Sequence, residues 1–262
     1  MTFESPQEGD RALLIFPDGN ERIVLLKKGK SLITKYGVIK HEDILKGEWG
    51  SEVVTSTGFK VMIQKPTFDE IIYSQFSRKT QVIYEKDAAL MIAESGIDEG
   101  FMVGESGVGS GFLTAHILRV IKNKEKYWGY EIREDMVEKA IENLKILGLD
   151  ISDRIKVKDV RKGIEERGFH AFFLDLPEPW EALKSLHNSL LSFARVVVFV
   201  PSANQVIKTL SDEIVKQKYH IHKVFEVISR EYEKEGEALR PKFFQKMFSG
   251  YIMVFLRKKG SE

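Results

Sequence analysis

The chain contains no cysteine, which excludes disulfides, thiolate zinc sites, iron–sulfur clusters and a cysteine nucleophile. No run of about 18 apolar residues occurs, so no transmembrane helix is expected. The first ten residues, MTFESPQEGD, lack both the basic start and the apolar stretch of a secretory leader. These absences lead to the expectation of a soluble, cytoplasmic protein. An excess of charge of one sign is missing too. The 40 Lys and Arg stand against 39 Asp and Glu, a net charge of +1, so the whole-chain balance announces neither nucleic acid nor a membrane, although such an average hides any local basic patch. With 7 prolines and 20 glycines the chain is neither collagen-like nor of low complexity. The 6 histidines form no metal motif. His220 and His222 would share a strand face, but without neighbouring carboxylates, and no metal site is expected. No G-x-S-x-G is present, because Ser106 and Ser110 each lack the second flanking glycine.

What is present is length and pattern. A chain of 262 residues, 43% hydrophobic, suffices for one large domain and a small one. Residues 1–65 hold short apolar runs at 12–16, 23–26, 31–34, 53–55 and 61–63, with turn signals between them. That pattern predicts a small all-β domain over 1–68, a barrel or sandwich without a helix of useful length, bounded near Pro66. From 69 to 262 strands and helices alternate, predicting an α/β catalytic domain with a mostly parallel, Rossmann-like sheet. Strands are expected at 101–103, 128–130, 154–157, 171–174, 195–200, 223–229 and 251–257. Helices are expected at 87–95, 111–122, 133–147, 180–191 and 203–216. Only about 21 residues separate the last two strands, and they do not read as an apolar crossover helix, so the final strand should pair antiparallel.

Gly104-Glu105-Ser106-Gly107-Val108-Gly109-Ser110-Gly111 lies between a predicted strand and a predicted helix. Small residues there admit a ligand close to the backbone, and the helix start offers free N–H groups. The phosphate-binding loop fails, since the only Gly-Lys-Ser, at 29–31, has Val24 where glycine is needed. The dinucleotide fingerprint fails at Phe112. What remains is the S-adenosylmethionine loop of Rossmann-like methyltransferases, Glu105 to Gly111. Glu131 ends the next strand, 20 residues after Gly111, where a carboxylate can accept both hydroxyls of a ribose. Asp159 follows the third strand, placed to accept from the amine of a bound adenine. The fourth strand runs into Asp175-Leu176-Pro177-Glu178-Pro179-Trp180. Two prolines stiffen this corner, and it falls where an open α/β sheet binds ligands. Asp175 is the candidate for orienting a base and for stabilising the positive charge that methylation of its ring nitrogen creates. In the charged stretch 230–246, Arg240, Lys242, Phe243, Phe244 and Lys246 interleave basic and aromatic groups, a pattern suited to RNA.

Four stretches resemble the tRNA (adenine-58-N1)-methyltransferase family of class I S-adenosylmethionine-dependent enzymes. They are residues 79–87 (KTQVIYEKD), the loop 105–111 followed by Phe112-Leu113-Thr114, the corner 175–180 and Arg240-Pro241. Gly37–His41 is also similar to the family's small N-terminal domain. The resemblance implies S-adenosylmethionine as cofactor, tRNA as partner, and a homotetramer built as a dimer of dimers. It implies Asp175 and Tyr84 as catalytic residues, and places Thr80, Gln81 and Tyr84 along the cofactor and target-base pockets. Cofactor contacts then fall on Gln81, Glu105, Gly107, Val108, Gly109, Ser110, Gly111, Glu131, Asp159 and Asp175, and RNA contacts on Tyr84, Pro177, Trp180, Arg240 and Lys242. The implied activity is N1-methylation of adenosine 58 in the T-loop, with position 57 as a second candidate. The alternatives are a methyltransferase for another RNA nitrogen and a catalytically silent RNA-binding subunit. The chain departs from the family in three places. It has Met247-Phe248-Ser249-Gly250-Tyr251 where many relatives have Met-x-Gly-His-Thr, Glu85 where proline is usual, and Val108 where alanine or threonine is common.

Overall fold

Buried and exposed side chains alternate at residues 52–54 and 60–64, the period of a sheet with one face turned from water, while residues 12–14 are buried on both faces at its centre. The computed structural model describes residues 5–79, 81–233, 239–245 and 247–259. The chain divides between Phe76 and Ser77 into two compact units, where the sequence reading put the division at 68–69. In the first unit, β1 (Arg11–Ile15), β2 (Glu21–Leu25), β3 (Ser31–Thr34) and β4 (Gly37–Lys40) precede a one-turn helix, α1 (His41–Leu45). Then follow β5 (Glu52–Val54), β6 (Lys60–Gln64) and α2 (Phe68–Gln75). Four strands form an antiparallel sheet in the order β2-β1-β6-β5, and β3 pairs with β4 in a separate hairpin. Leu14, Leu26, Ile39, Ile44 and Ile63 are buried at its core. The reading 1–65 had no helix, but α1 forms because Ile44 turns into that core. α2 starts with a capping box, in which Thr67 accepts from the Glu70 N–H and the Glu70 carboxylate accepts from the Thr67 N–H.

The second unit carries α3 (Glu85–Ser95), β7 (Val103–Ser106), α4 (Phe112–Ile121), β8 (Tyr127–Glu131), α5 (Glu134–Ile146) and β9 (Ile155–Val157). After these come β10 (Phe169–Asp175), α6 (Pro179–Leu186), β11 (Leu190–Val200), α7 (Ala203–Ser211), α8 (Glu213–Lys218), β12 (Tyr219–Glu226) and β13 (Tyr251–Arg257). The seven strands run β12-β13-β11-β10-β7-β8-β9. The pairs from β11 through β9 are parallel, and β13 is antiparallel to both neighbours, as the sequence implied. Among the described residues no helix is long and apolar enough to cross a membrane.

The winding direction of the sheet reverses between β7 and β10. Strands β8 and β9 extend it one way and β11 the other, so the carboxyl ends of β7 and β10 open a crevice, the usual ligand site of such sheets. Leu174 pairs with Ser106 and Asp175 with Phe199, which brings the end of β10 level with the glycine loop.

Several boundaries moved for physical reasons. β7 was expected at 101–103, but pairing with Ala171 to Leu174 selects the less apolar Val103–Ser106. The helix expected over 180–191 ends at Leu186, because residues from Leu190 onward join the long strand β11. The helix expected over 203–216 is broken at Asp212, whose carboxylate accepts from the N–H groups of Ile214 and Val215 and starts α8 afresh.

Candidate active site

The loop after β7 turns on glycines with positive φ, at 84° for Gly107, 55° for Gly109 and 81° for Gly111. At Gly107 the reason is contact as well as φ, since a Cβ there would lie 1.9 Å from the Asp175 carbonyl oxygen. The glycine loop and the proline corner therefore touch through their backbones. Gly111 caps the start of α4 without a side chain. Ser110 is buried, and its hydroxyl oxygen has no hydrogen-bond partner among the described residues.

Two adjoining hollows lie at this junction, and Gly107 and Asp175 line both. The first, of about 210 Å³, also holds Glu131, Ile132, Asp159, Arg161 and Pro177. The second also holds Gln81, Glu105, Val108, Gly109 and Ser110. Ten of the residues singled out from the sequence thus line one or both of these hollows, while Gly111, at the start of α4, lines neither.

The Glu131 carboxylate is preset by three backbone donors, Gly109 N–H at 3.0 Å, Ile132 N–H at 2.8 Å and Arg133 N–H at 3.1 Å. Asp159 caps a short 3-10 turn, Val160–Lys162, and is gripped by Arg161, Nε to Oδ1 at 2.8 Å and Nη2 to Oδ2 at 2.9 Å. That guanidinium holds the Asp159 carboxyl below its usual range. The backbone N–H of Arg161 also donates to Oδ1. Of four lone-pair positions, one on Oδ2 remains for a ligand.

Two other acids behave differently. Glu105 is buried, and its Oε2 accepts from Tyr127 Oη at 2.6 Å and Thr114 Oγ1 at 2.7 Å. Burial outweighs those bonds and pushes its carboxyl up to about 8. Burial, with the neighbouring Glu131 carboxylate, pushes Asp175 up to about 7. Near neutrality both hold protons that an ordinary carboxylate would have lost.

Four residues picked from the sequence sit elsewhere. Tyr84 lines neither hollow that Asp175 lines. It precedes α3 and shares a separate cavity with Lys86, Glu231, Lys242 and Phe244. Lys242 lies in that cavity, paired with Glu231, and Arg240 is on the exposed surface of the same C-terminal arm. Trp180 departs furthest from its expected role. It is 6% exposed, packed in the core, with Lys208 Nζ 4.1 Å above its ring. It supports the corner and presents no stacking face. Thr80 and Lys246 lie outside the described residues. The histidine that relatives carry near the C-terminus would fall at Gly250, where a Cβ would lie 2.5 Å from the Phe199 ring. That space is filled, and the adjacent Ser249 instead donates to Asp87 and accepts from Lys86.

Sequence reasoning missed Ile132 and Arg161. Ile132 is 61% exposed and lines the cleft directly after Glu131. An apolar residue following a strand-end acid was the available signal. Arg161 had none, because only the fold brings it to Glu178, with which it also pairs. Among the described residues no group of three or more His, Cys, Asp or Glu is arranged to hold a metal ion.

Residues 58–245 match the family described as the tRNA methyltransferase complex GCD14 subunit. The chain is 30% identical to the tRNA (adenine(57)-N(1)/adenine(58)-N(1))-methyltransferase TrmI of Methanocaldococcus jannaschii, over 92% of this chain and 93% of that protein. It is 27% identical to the tRNA (adenine(58)-N(1))-methyltransferase TrmI of Thermus thermophilus, over 96% and 94%. Among solved structures it is similar to the tRNA (m1A58) methyltransferase TrmI of Aquifex aeolicus, at TM-score 0.81 and 30% identity over 98% and 100%. A SAM-dependent O-methyltransferase of Thermotoga maritima superposes at TM-score 0.85, also 30% identical, over 98% and 96%.

Proposed function

The chain belongs to the tRNA methyltransferase family of the GCD14 subunit, and from that premise we propose that it transfers a methyl group from S-adenosylmethionine to N1 of adenosine 58 in the tRNA T-loop. The observation that carries this reading is the double placement of Asp175. It lines both the hollow with Glu131 and Asp159 and the hollow with the glycine loop.

The residues fit that cofactor. Gly107, having no side chain, lets the loop backbone close onto the Asp175 carbonyl beside both hollows, and Ser110 keeps a buried hydroxyl without a partner among the described residues. Glu131, with one lone pair of Oε2 left beside its three backbone donors, would accept from a ribose hydroxyl, the free lone pair of Asp159 from the adenine amine, and Ile132 would cover the adenine face. When bound, S-adenosylmethionine supplies an electrophilic methyl group on a cationic sulfur. The ring nitrogen N1 of adenosine attacks with its own lone pair, so no proton need leave first. The chain's task is to hold the base in line and dry. Asp175 accepts from the N6 amine, and its carboxylate stabilises the positive charge that N1 acquires. Incubating the protein with unmodified tRNA and labelled cofactor, then mapping the methylated nucleotide, tests this. Label at 57 as well as 58 extends the reading, and label on neither overturns it. A hydroxyl acceptor is the second reading, favoured by an Asp175 carboxyl poised near 7, which suits taking a proton. The same mapping separates the two.

The raised acids make cofactor binding depend on pH. A cationic ligand favours their ionised forms, so below about pH 7 its binding must first expel a proton from Asp175. S-adenosylmethionine should therefore bind about tenfold more tightly at pH 8 than at pH 6. Calorimetry in two buffers of different ionisation enthalpy would show the released proton, and a flat pH response would contradict it.

The target nucleotide must leave its stack before N1 can be reached, at a cost of a few kcal/mol. Tyr84, Arg240 and Lys242 are proposed to repay part of that cost by stacking and phosphate contact, together with the corner's Pro177. A subunit of net charge +1 is a weak electrostatic partner by itself. A cytoplasmic homotetramer, a dimer of dimers, would join basic groups of several subunits into one groove. Leu239, Phe243 and Phe244, 78%, 88% and 88% exposed on the arm, support a face that association covers. The expected result is a tetramer in sedimentation and a tRNA affinity that falls steeply with salt. A monomer with full, salt-insensitive affinity would refute it.

A further inference from the structure

The proline corner cannot hold itself. Pro177 and Pro179 lack N–H groups, and proline fixes φ but leaves ψ free. The first backbone bond closing after the corner runs from Glu181 N–H to Glu178 O, at 3.2 Å. What pins the corner comes from outside. From the β11 side, Gln205 Nε2 donates to the Pro177 carbonyl at 2.9 Å. From the β9 side, Arg161 pairs through Nη1 with Glu178. The turn bearing Arg161 is itself tied to α6, because Ser185 Oγ donates to Val160 O at 2.6 Å.

The Gln205 contact runs against its local sequence. Ser202-Ala203-Asn204-Gln205 reads as a capping box, in which Gln205 would reach back to the Ser202 N–H. Ser202 does cap the helix, through Asn204 N–H at 3.3 Å, but the Gln205 amide is turned to Pro177 instead. Its Oε1 is buried with no partner among the described residues. The side chain is thus held by the corner bond rather than by a saturated network of its own.

We propose that Gln205 and the Arg161–Glu178 pair are positioning residues, a two-sided clamp that fixes the backbone of the proline corner so that the Asp175 carboxylate keeps its aim into the cleft. Neither need touch the base. The proposal rests on the methyl-transfer reading and adds what holds its central acid in place.

Gln205→Ala and Glu178→Ala remove one arm each without touching Asp159 or Glu131. Each should lower kcat on unmodified tRNA by roughly 10–100-fold, the scale of misplacing a catalytic group by about 1 Å. Cofactor affinity by calorimetry should stay within about twofold. Glu178→Gln keeps an acceptor for Arg161 and should restore kcat to within about threefold of wild type, whereas Gln205→Glu cannot donate to Pro177 and should fall with the alanine variant. Amide hydrogen exchange over residues 170–182 supplies a readout that needs no methyl acceptor. It should quicken in both alanine variants and not in Glu178→Gln. Wild-type kcat and exchange in the alanine variants would overturn the clamp. So would a parallel loss of cofactor affinity, turnover and melting temperature, which marks general disruption. If wild-type protein leaves tRNA unmethylated, the functional reading fails, and exchange alone decides the clamp.

Discussion

Asp175→Asn is expected to be nearly inactive and, above neutral pH, more stable than the wild type. The loss follows from its place at the meeting of the two hollows. Without the negative charge, the cation that forms on the methylated base is left unstabilised, and turnover should fall by about 10²–10³-fold. Cofactor affinity at pH 8 should fall by only the roughly tenfold that the ionised carboxylate lends to a cationic ligand, well short of the loss in turnover, since the contacts proposed for ribose and adenine are made by Glu131 and Asp159. The gain follows from the carboxyl's folded-state position near 7, against 3.8 for its ordinary value. Between these two values the folded protein retains a proton that the unfolded chain has lost. Stability therefore falls as pH rises from about 4 to 7 and stays reduced above that. The asparagine carries no such cost. Its melting temperature should match wild type below pH 4 and exceed it from pH 7 upward, by an amount worth at most a few kcal/mol. Equal melting curves at pH 8 would mean that the carboxyl is not desolvated. Loss of cofactor binding together with turnover would make Asp175 a structural residue.

Gly107→Ala is expected to damage cofactor binding and catalysis together. Its Cβ would stand 1.9 Å from the Asp175 carbonyl oxygen, at a φ of 84°. The neighbour is backbone and cannot swing aside. The left-handed conformation costs alanine about 1–2 kcal/mol, and forcing the loop off the corner adds about 1–3 kcal/mol. Cofactor affinity should fall at least tenfold, and turnover with it. Gly148→Ala is the control, since Gly148 has a φ of 75° but nothing within 4 Å of the added Cβ. It should show the conformational cost alone, as a modest drop in melting temperature with full activity. If both variants lose the same stability and both stay active, the contact between loop and corner does not constrain the site.

The glycine loop, Glu131 at a strand end and the acid before two prolines are local signals. Each depends on what a residue type permits within a few positions of itself, such as a positive φ, a carboxylate beside a helix start or a fixed φ. The alternation of strands and helices is local in the same sense, and so is the antiparallel last strand, forced by a connection with no apolar crossover. For the same reason β7 was misplaced by two to three residues, because its bounds follow from partners on β10 and β8 rather than from its own apolarity.

Burial and encounter across the sheet were not legible. A tryptophan beside a proline corner reads as a stacking platform, but α6 turns Trp180 inward against the core, and Lys208 covers its ring. Tyr84 belongs to a promising motif, yet it lines a cavity with the C-terminal arm. Arg161 lies 17 residues from Glu178 and Gln205 lies 28 from Pro177, and only the order of strands makes neighbours of them.

Sequence alone therefore determined which chemical groups are available and which of them lie at the carboxyl ends of strands, because those properties are set by residue type and short-range periodicity. The tertiary structure decided which acids keep a proton, which aromatic rings face water and what holds the corner still. Those outcomes depend on desolvation and on contacts between distant segments, and both exist only after the sheet has closed.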